Sequence, residues 1–144
     1  MDCPFCTRKN VQSMIIYKDN LVMAFPTNIP ITPGHTLVCP TRHITKIDQL
    51  SDDEAKAIMN LIVRLKNGFK KSLGAEGFNI AWNENRVAGQ AVEHLHIHVV
   101  PRKTGDAGIY EYEPRKFLYR PGSRIESPEK ELQDVAKLIR ENFE

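Results

Sequence analysis

From Val92 to Arg102 the chain reads Val-Glu-His-Leu-His-Ile-His-Val-Val-Pro-Arg, with histidine and aliphatic residues alternating between His94 and Val99. A period of two belongs to a β-strand, whose successive side chains leave on opposite faces. Residues 92 to 100 are therefore predicted as a strand, with Leu95, Ile97 and Val99 entering the core. His94, His96 and His98 share the other face, neighbours about 6.5–7 Å apart at a rise near 3.3 Å per residue. They are predicted to line the surface of the sheet opposite the core. Buried imidazole nitrogens need hydrogen-bond partners, and a plain solvent face is more cheaply built from Thr, Lys or Glu. Three of the chain's five histidines stand in this one run, so a chemical role is the reading it supports.

The rest of the chain has to supply a sheet around that strand. Met14–Tyr17 and Leu21–Phe25 are β-prone runs separated by Lys18-Asp19-Asn20 and read as a hairpin. Pro33-Gly34 opens a third run, His35–Cys39, which Pro40 closes. Ser51-Asp52-Asp53-Glu54 has capping-box spacing and begins a long helix. Ala55, Ile58, Met59, Ile62, Val63, Leu65 and Phe69 continue it with helical periodicity, and Lys70-Lys71 before Gly74 marks its exit. Phe78–Trp82 is a fourth predicted strand, and the loop Asn83–Ala91, carrying Gly89, leads into the histidine run. A second helix is predicted from Ser127, with Pro128 in its first turn and Leu132, Val135, Ala136, Ile139 and Phe143 on its apolar side. This is an α+β domain: one unit over 1–144, with a core of about 3–102 and a C-terminal extension and helix over about 103–144.

Composition excludes several classes. A net charge of +2 gives no electrostatic case for a nucleic-acid or membrane partner. No apolar run approaches the ~20 residues of a membrane span, and the N-terminus has no apolar signal region. Three cysteines is an odd number for a disulfide framework, so a cytoplasmic location is expected. Cys39 alternates with core residues and reads as a small buried hydrophobe. The stretch 102–124 mixes basic residues with Tyr110, Tyr112, Phe117 and Tyr119, but Asp106, Glu111 and Glu113 interrupt the charge. It reads as a solvated or subunit-contacting segment rather than a nucleic-acid site.

Two chemistries suit alternating histidines on a strand. They can chelate one divalent metal as a hydrolytic centre. Alternatively, one neutral imidazole acts as a nucleophile toward phosphorus or an acyl carbon while its neighbours orient it and handle protons. Cys3-Pro4-Phe5-Cys6 adds a Cys-x-x-C pair. It has no thioredoxin-like βαβ setting, which favours zinc over redox chemistry, and tetrahedral zinc needs two further ligands.

The stretch from Gly89 to Arg102, Gly-Gln-Ala-Val-Glu-His-Leu-His-Ile-His-Val-Val-Pro-Arg, resembles the signature of the histidine triad (HIT) family. Pro33-Gly34-His35-Thr36-Leu37-Val38-Cys39-Pro40 resembles that family's Pro-Gly-His strand, and Asn83 falls where the family places an amide over the phosphates. The resemblance runs from about Cys3 to Arg102. It implies a HIT-like fold, commonly dimeric, and a small-molecule nucleotide substrate such as a dinucleoside polyphosphate or a nucleoside phosphoramidate. It further implies attack by His96 on the α-phosphorus to form a nucleotidyl-histidine, with no metal needed for the chemistry. His98 would donate to a phosphate oxygen, and His35 would support the cluster. Asn83, Gly89, Gln90 and the Ala91 backbone would contribute to nucleotide binding. In HIT proteins with an N-terminal Cys pair, the resemblance assigns structural zinc to Cys3, Cys6, His43 and His94. Two departures stand out. Ala91 occupies a position where the family often has a Ser or Thr hydroxyl, and the ribose position often held by Asp or Asn falls on Thr27, next to Asn28. The Ala91 departure leaves room for a nucleotide-binding interaction protein with little turnover, beside the metal-dependent hydrolase with the triad as ligands.

Overall fold

The computed structural model describes residues 3–106, 108 and 126–143. The aromatic–basic stretch weighed above, with Tyr110, Tyr112, Phe117 and Tyr119, lies outside the described residues. Two short helices, α1 (Pro4–Thr7) and α2 (Lys9–Ser13), precede strands β1 (Tyr17–Lys18), β2 (Val22–Pro26) and β3 (Thr36–Pro40). A long helix α3 (Asp52–Leu73) is followed by β4 (Gly77–Ala81), β5 (Ile97–Arg102) and α4 (Glu129–Glu141). The sheet is antiparallel throughout and ordered β1-β2-β3-β5-β4, which puts β5 between β3 and β4.

α3 starts and stops where its sequence dictates. Ser51 Oγ accepts the Glu54 N–H while Glu54 Oε1 accepts the Ser51 N–H, closing the capping box. Gly74, at φ 64°, takes the left-handed conformation that ends the helix. Ile58, Leu61, Ile62, Leu65 and Phe69 pack on the sheet with Val22, Ala24, Val38, Ile97 and Val99. Burying each such side chain contributes roughly 1.5–3 kcal/mol. Ala55, Met59 and Val63 leave that stripe: at i, i+4 spacing they form a second row, and Met59 and Val63 are 58% and 55% exposed. α4 lays Leu132, Ala136 and Ile139 inward, with Val135 and Phe143 half-buried beside them. Pro128 is its cap rather than its first turn, because the Pro φ of −54° is paired with an extended ψ.

The strands alternate strictly, yet both faces are covered, so β2 and β3 are buried at every position. Met23, Phe25, Leu37 and Cys39 point away from α3 and meet Cys3, Phe5 and Val11 from the N-terminal helices. This corrects two expectations. The first hairpin arm is only Tyr17–Lys18, because Met14 closes α2 instead of entering the sheet. The histidine face is not a surface, since α1 and α2 lie over it and His94 and His96 are buried. The regular strand also begins later than predicted, at Ile97. Ahead of it, His94 Nε2 binds the Pro40 carbonyl and the Leu95 N–H donates to Ile44, side-chain and out-of-register contacts that replace the ladder.

Candidate active site

The register of β5 fixes the centre of the site. His98 stands opposite Leu37 on β3 and Ala81 on β4. His35, two residues before Leu37, therefore shares the face of His98 and reaches it diagonally. The His35 Nε2 to His98 Nδ1 separation is 2.9 Å. A backbone amide can only donate, so the Ile31 N–H, 3.0 Å from His35 Nδ1, requires that nitrogen to accept. In neutral His35 the proton then sits on Nε2 and is donated to His98 Nδ1, which leaves neutral His98 with its proton on Nε2. One main-chain amide thus sets two tautomers in series.

His96 is set from the other side. Its Nδ1 lies 2.7 Å from the His94 carbonyl, which can only accept, so Nδ1 carries the proton and Nε2 carries the lone pair. Burial holds its pKa below the ordinary histidine value, partly countered by that hydrogen bond. A neutral imidazole with a bare Nε2 is a nucleophile. The rings of Phe5 and His98 flank it at 5.2 and 5.1 Å between centroids.

His94 faces a different task. Its Nε2–H donates to the Pro40 carbonyl at 2.8 Å, which leaves Nδ1 as a ligand atom. Nδ1 lies 3.4 Å from Cys3 Sγ and 3.6 Å from Cys6 Sγ, and His43 Nδ1 lies 3.7 Å from Cys6 Sγ. All four ligand atoms fall within 4.8 Å of one another. Bonds of about 2.3 Å to sulfur and 2.0–2.1 Å to nitrogen, at a tetrahedral angle, separate S and N by about 3.5 Å. The four residues fit zinc. Desolvation and the neighbouring Cys3 push the Cys6 thiol up to about 11, so a metal has to displace its proton to bind. Desolvation, followed by the charges of His43 and His96, lowers the pKa of His94 despite its Pro40 hydrogen bond, which keeps it neutral as a ligand must be. The three histidines thus differ in their contacts: His94 turns to the sulfurs, while His96 and His98 turn to a carbonyl and to His35.

The loop before the triad is held by a side chain of its own. The Gln90 side chain, buried, accepts the Asn85 N–H at 2.8 Å and donates to the Thr45 carbonyl at 3.1 Å. Asn85 is held at φ 68°, ψ 156°, a region few residues other than glycine adopt. Gly89 follows at φ 96°. Asn83 is half-buried and Ala91 exposed. Thr27 is buried against His35, whose carbonyl accepts its N–H at 3.0 Å, whereas exposed Asn28 donates through Nδ2 to Glu126. Of the two ribose candidates, Thr27 is thus the one bonded to the main chain of His35.

Sequence reasoning missed Phe5 and missed Arg42. Phe5 was legible only as the residue between two cysteines, although Pro4 at a first helical position was a signal for the turn that carries it. Arg42 pairs with buried Glu54 at 2.8 Å and anchors the segment bearing His43 to α3.

Known proteins resemble this chain in sequence and in fold. The HIT domain family matches residues 8–105. An uncharacterized HIT-like protein of Methanocaldococcus jannaschii is 39% identical over 76% of this chain and 86% of its own. A bis(5'-adenosyl)-triphosphatase of Dictyostelium discoideum is 32% identical over 91% and 89% of the two chains. An adenosine 5'-monophosphoramidase of Schizosaccharomyces pombe is 31% identical over 76% and 80%. The crystal structure of a zinc-bound histidine triad family protein from Mycobacterium smegmatis superimposes with a TM-score of 0.67 at 28% identity, covering 89% of this chain and 81% of that one.

Proposed function

This chain belongs to the HIT family, and we propose that within it the protein is a nucleotide hydrolase that works through a covalent intermediate on His96. The observation that carries this reading is the 2.7 Å bond from His96 Nδ1 to the His94 carbonyl, which leaves Nε2 as the unprotonated atom. Nε2 attacks the α-phosphorus, a P–N bond forms, and the bond to the leaving group breaks. Water then attacks the same phosphorus, the P–N bond breaks, and a nucleoside monophosphate leaves. A neutral nucleophile suits a phosphorus ringed by anionic oxygens, and two displacements replace one difficult step. His98, with its proton fixed on Nε2 through His35, donates to a phosphate oxygen as charge builds. Asn83, Gly89, Gln90 and the Ala91 backbone bound the phosphate side, and Thr27 and Asn28 the ribose side. Zinc on Cys3, Cys6, His43 and His94 is structural in this scheme and adds no step.

The substrate is a dinucleoside polyphosphate or a nucleoside phosphoramidate, the classes that the Dictyostelium and Schizosaccharomyces relatives are named for. Ala91, exposed and without a hydroxyl, favours a leaving group that needs little help with its proton. A homodimer is supported by two features on the α3 side of the sheet: the exposed row of Met59 and Val63, and Ile80 and Trp82 on the outer strand β4 and just after it, 44% and 45% exposed. The test is AMP release from diadenosine triphosphate and from adenosine phosphoramidate, comparing wild type with His96→Ala. Release by wild type that disappears in the folded variant supports the reading. Tight AMP binding with no release from either compound would replace it with a nucleotide-binding protein.

A further inference from the structure

Phe5 lies between Cys3 and Cys6 in a helical turn of four residues, and its ring is the one the N-terminal segment lays on the triad. It is 7% exposed and packs edge-on against His96, at 5.2 Å and 84°. The same ring meets Phe25 at 5.0 Å and His94 at 5.8 Å. We propose that Phe5 is a positioning residue for His96, and that the Cys3/Cys6/His43/His94 centre serves the reaction by seating that ring. The inference rests on the role of His96 proposed above.

α1 depends on its surroundings. A single turn has no stability of its own, because isolated helices shorter than about 12–15 residues are marginal in water even with their hydrogen bonds made. Its local bonds are those of one turn: the Cys6 N–H, the Thr7 N–H and the Thr7 hydroxyl all donate to the Cys3 carbonyl, and the Arg8 N–H donates to Pro4. Outward, it has the Gln12 amide on the Phe5 carbonyl, apolar packing of Cys3 and Phe5, and the two sulfurs set against His94 and His43. Ligation of both cysteines is therefore the strongest tether the turn can have, and it brackets Phe5 from either side.

Without that ring His96 loses one of the walls around it. Its hydrogen bond fixes one atom, Nδ1, but a bond to one atom leaves the ring plane free to swing. The plane is set by the walls, which are His98 on one side and Phe5 on another. Removing Phe5 opens room for the ring to turn and for water to compete at Nδ1, so the proton no longer stays on that nitrogen and Nε2 is no longer always bare. His94 links the same centre to His96 a second time, because its Nδ1 faces the sulfurs while its carbonyl holds His96. The metal centre thus acts on the nucleophile by a ring contact and by a main-chain contact.

The experiment uses full-length, zinc-loaded wild type, Phe5→Ala and Phe5→Leu, with zinc content measured for each. Nitrogen-15 NMR of the histidines, on ligand-free protein at a pH where they are neutral, reads the His96 tautomer without any nucleobase present. Wild type should show the His96 proton fixed on Nδ1. Phe5→Ala should show shifts averaged between the two nitrogens and a kcat lower by about 10–100-fold, the scale of a misplaced reacting group, with little change in KM. Phe5→Leu should recover part of both, and wild type stripped of zinc should reproduce the averaged His96 signals. Wild-type His96 shifts in Phe5→Ala at full zinc content, or a loss confined to KM, would overturn the proposal. If Phe5→Ala loses its zinc, Phe5→Leu decides by the same readouts. Absence of turnover in wild type would count against the hydrolase reading alone, and the NMR comparison would still decide the role of Phe5.

Discussion

Replacing His35 by leucine removes the two hydrogen bonds that set the His98 tautomer while keeping a buried side chain of similar bulk. Losing the acceptor for the Ile31 N–H costs about 1–3 kcal/mol, and losing the bond to His98 costs about 1 more. The apolar gain of a buried leucine offsets part of this, so a net loss of about 1–3 kcal/mol is expected. The effect on activity has a separate origin. With Nδ1 relieved of its donor, His98 is free to move its proton there, and the donor on Nε2 is present only part of the time. Loss of an oriented donor of this kind should lower kcat by about 10–100-fold, equivalent to about 1.4–2.7 kcal/mol. His35→Gln is the informative companion, because a glutamine amide has both an acceptor for Ile31 and a donor for His98. Urea unfolding gives the stability, AMP release gives kcat, and nitrogen-15 NMR locates the His98 proton. An unchanged kcat in a folded His35→Leu protein whose His98 proton stays on Nε2 would refute the relay.

Four further outcomes follow from particular residues. Gly34→Ala should cost more in urea unfolding than Gly74→Ala. Both have positive φ, 93° and 64°, but an added Cβ at Gly34 meets Leu73 and Pro101 while at Gly74 it meets nothing. Backbone strain alone gives about 1–2 kcal/mol at either site, and crowding adds about 1–3 at Gly34; equal losses would contradict the packing. Asn85→Gly should stabilise the protein by about 1 kcal/mol, since strain of about 1–3 kcal/mol is relieved against a smaller entropy loss. Arg42 holds the Glu54 carboxyl down from 4.5 to about 2. A lowered folded value means stability present above the ordinary carboxylate range and lost as pH falls from about 4.5 to 2, so wild type should weaken in acid urea titrations through that window. Glu54→Gln should be less stable at neutral pH and lose less across that window, since Asp19 and Asp106, also held low, still titrate. Chelation should lower the melting temperature and release zinc more readily as pH falls, because protons compete for the thiolates; a melting temperature indifferent to chelator would argue against a structural metal.

Much of this architecture was legible because it depends on local rules. The period of two placed Ile97 and Val99 in the core, and Ser51, Glu54 and Gly74 marked both ends of α3 to the residue. The grouping of Cys3, Cys6, His43 and His94 was legible through family resemblance, since the two cysteines lie far in sequence from the two histidines and only the fold brings them together. What escaped depends on long-range packing. A buried polar face and an exposed one have the same alternation, so nothing in residues 92–100 revealed that α1 and α2 cover the histidines. Helical periodicity likewise could not separate the inward row of Ile58, Ile62 and Leu65 from the outward Met59 and Val63. The tautomers were out of reach altogether, because they are set by the carbonyls of His94 and Pro40 and the amide of Ile31, main-chain groups that carry no mark of residue type.

The central claim is that His96 Nε2 forms a bond to the α-phosphorus. The direct measurement is mass spectrometry of protein quenched in alkali, where a phosphorus–nitrogen bond to histidine survives, during turnover of diadenosine triphosphate. The account predicts an adenylyl adduct that maps to His96, is absent from His96→Ala and decays as AMP appears. Turnover at full rate with no adduct in wild type, or AMP release by folded His96→Ala, would contradict it.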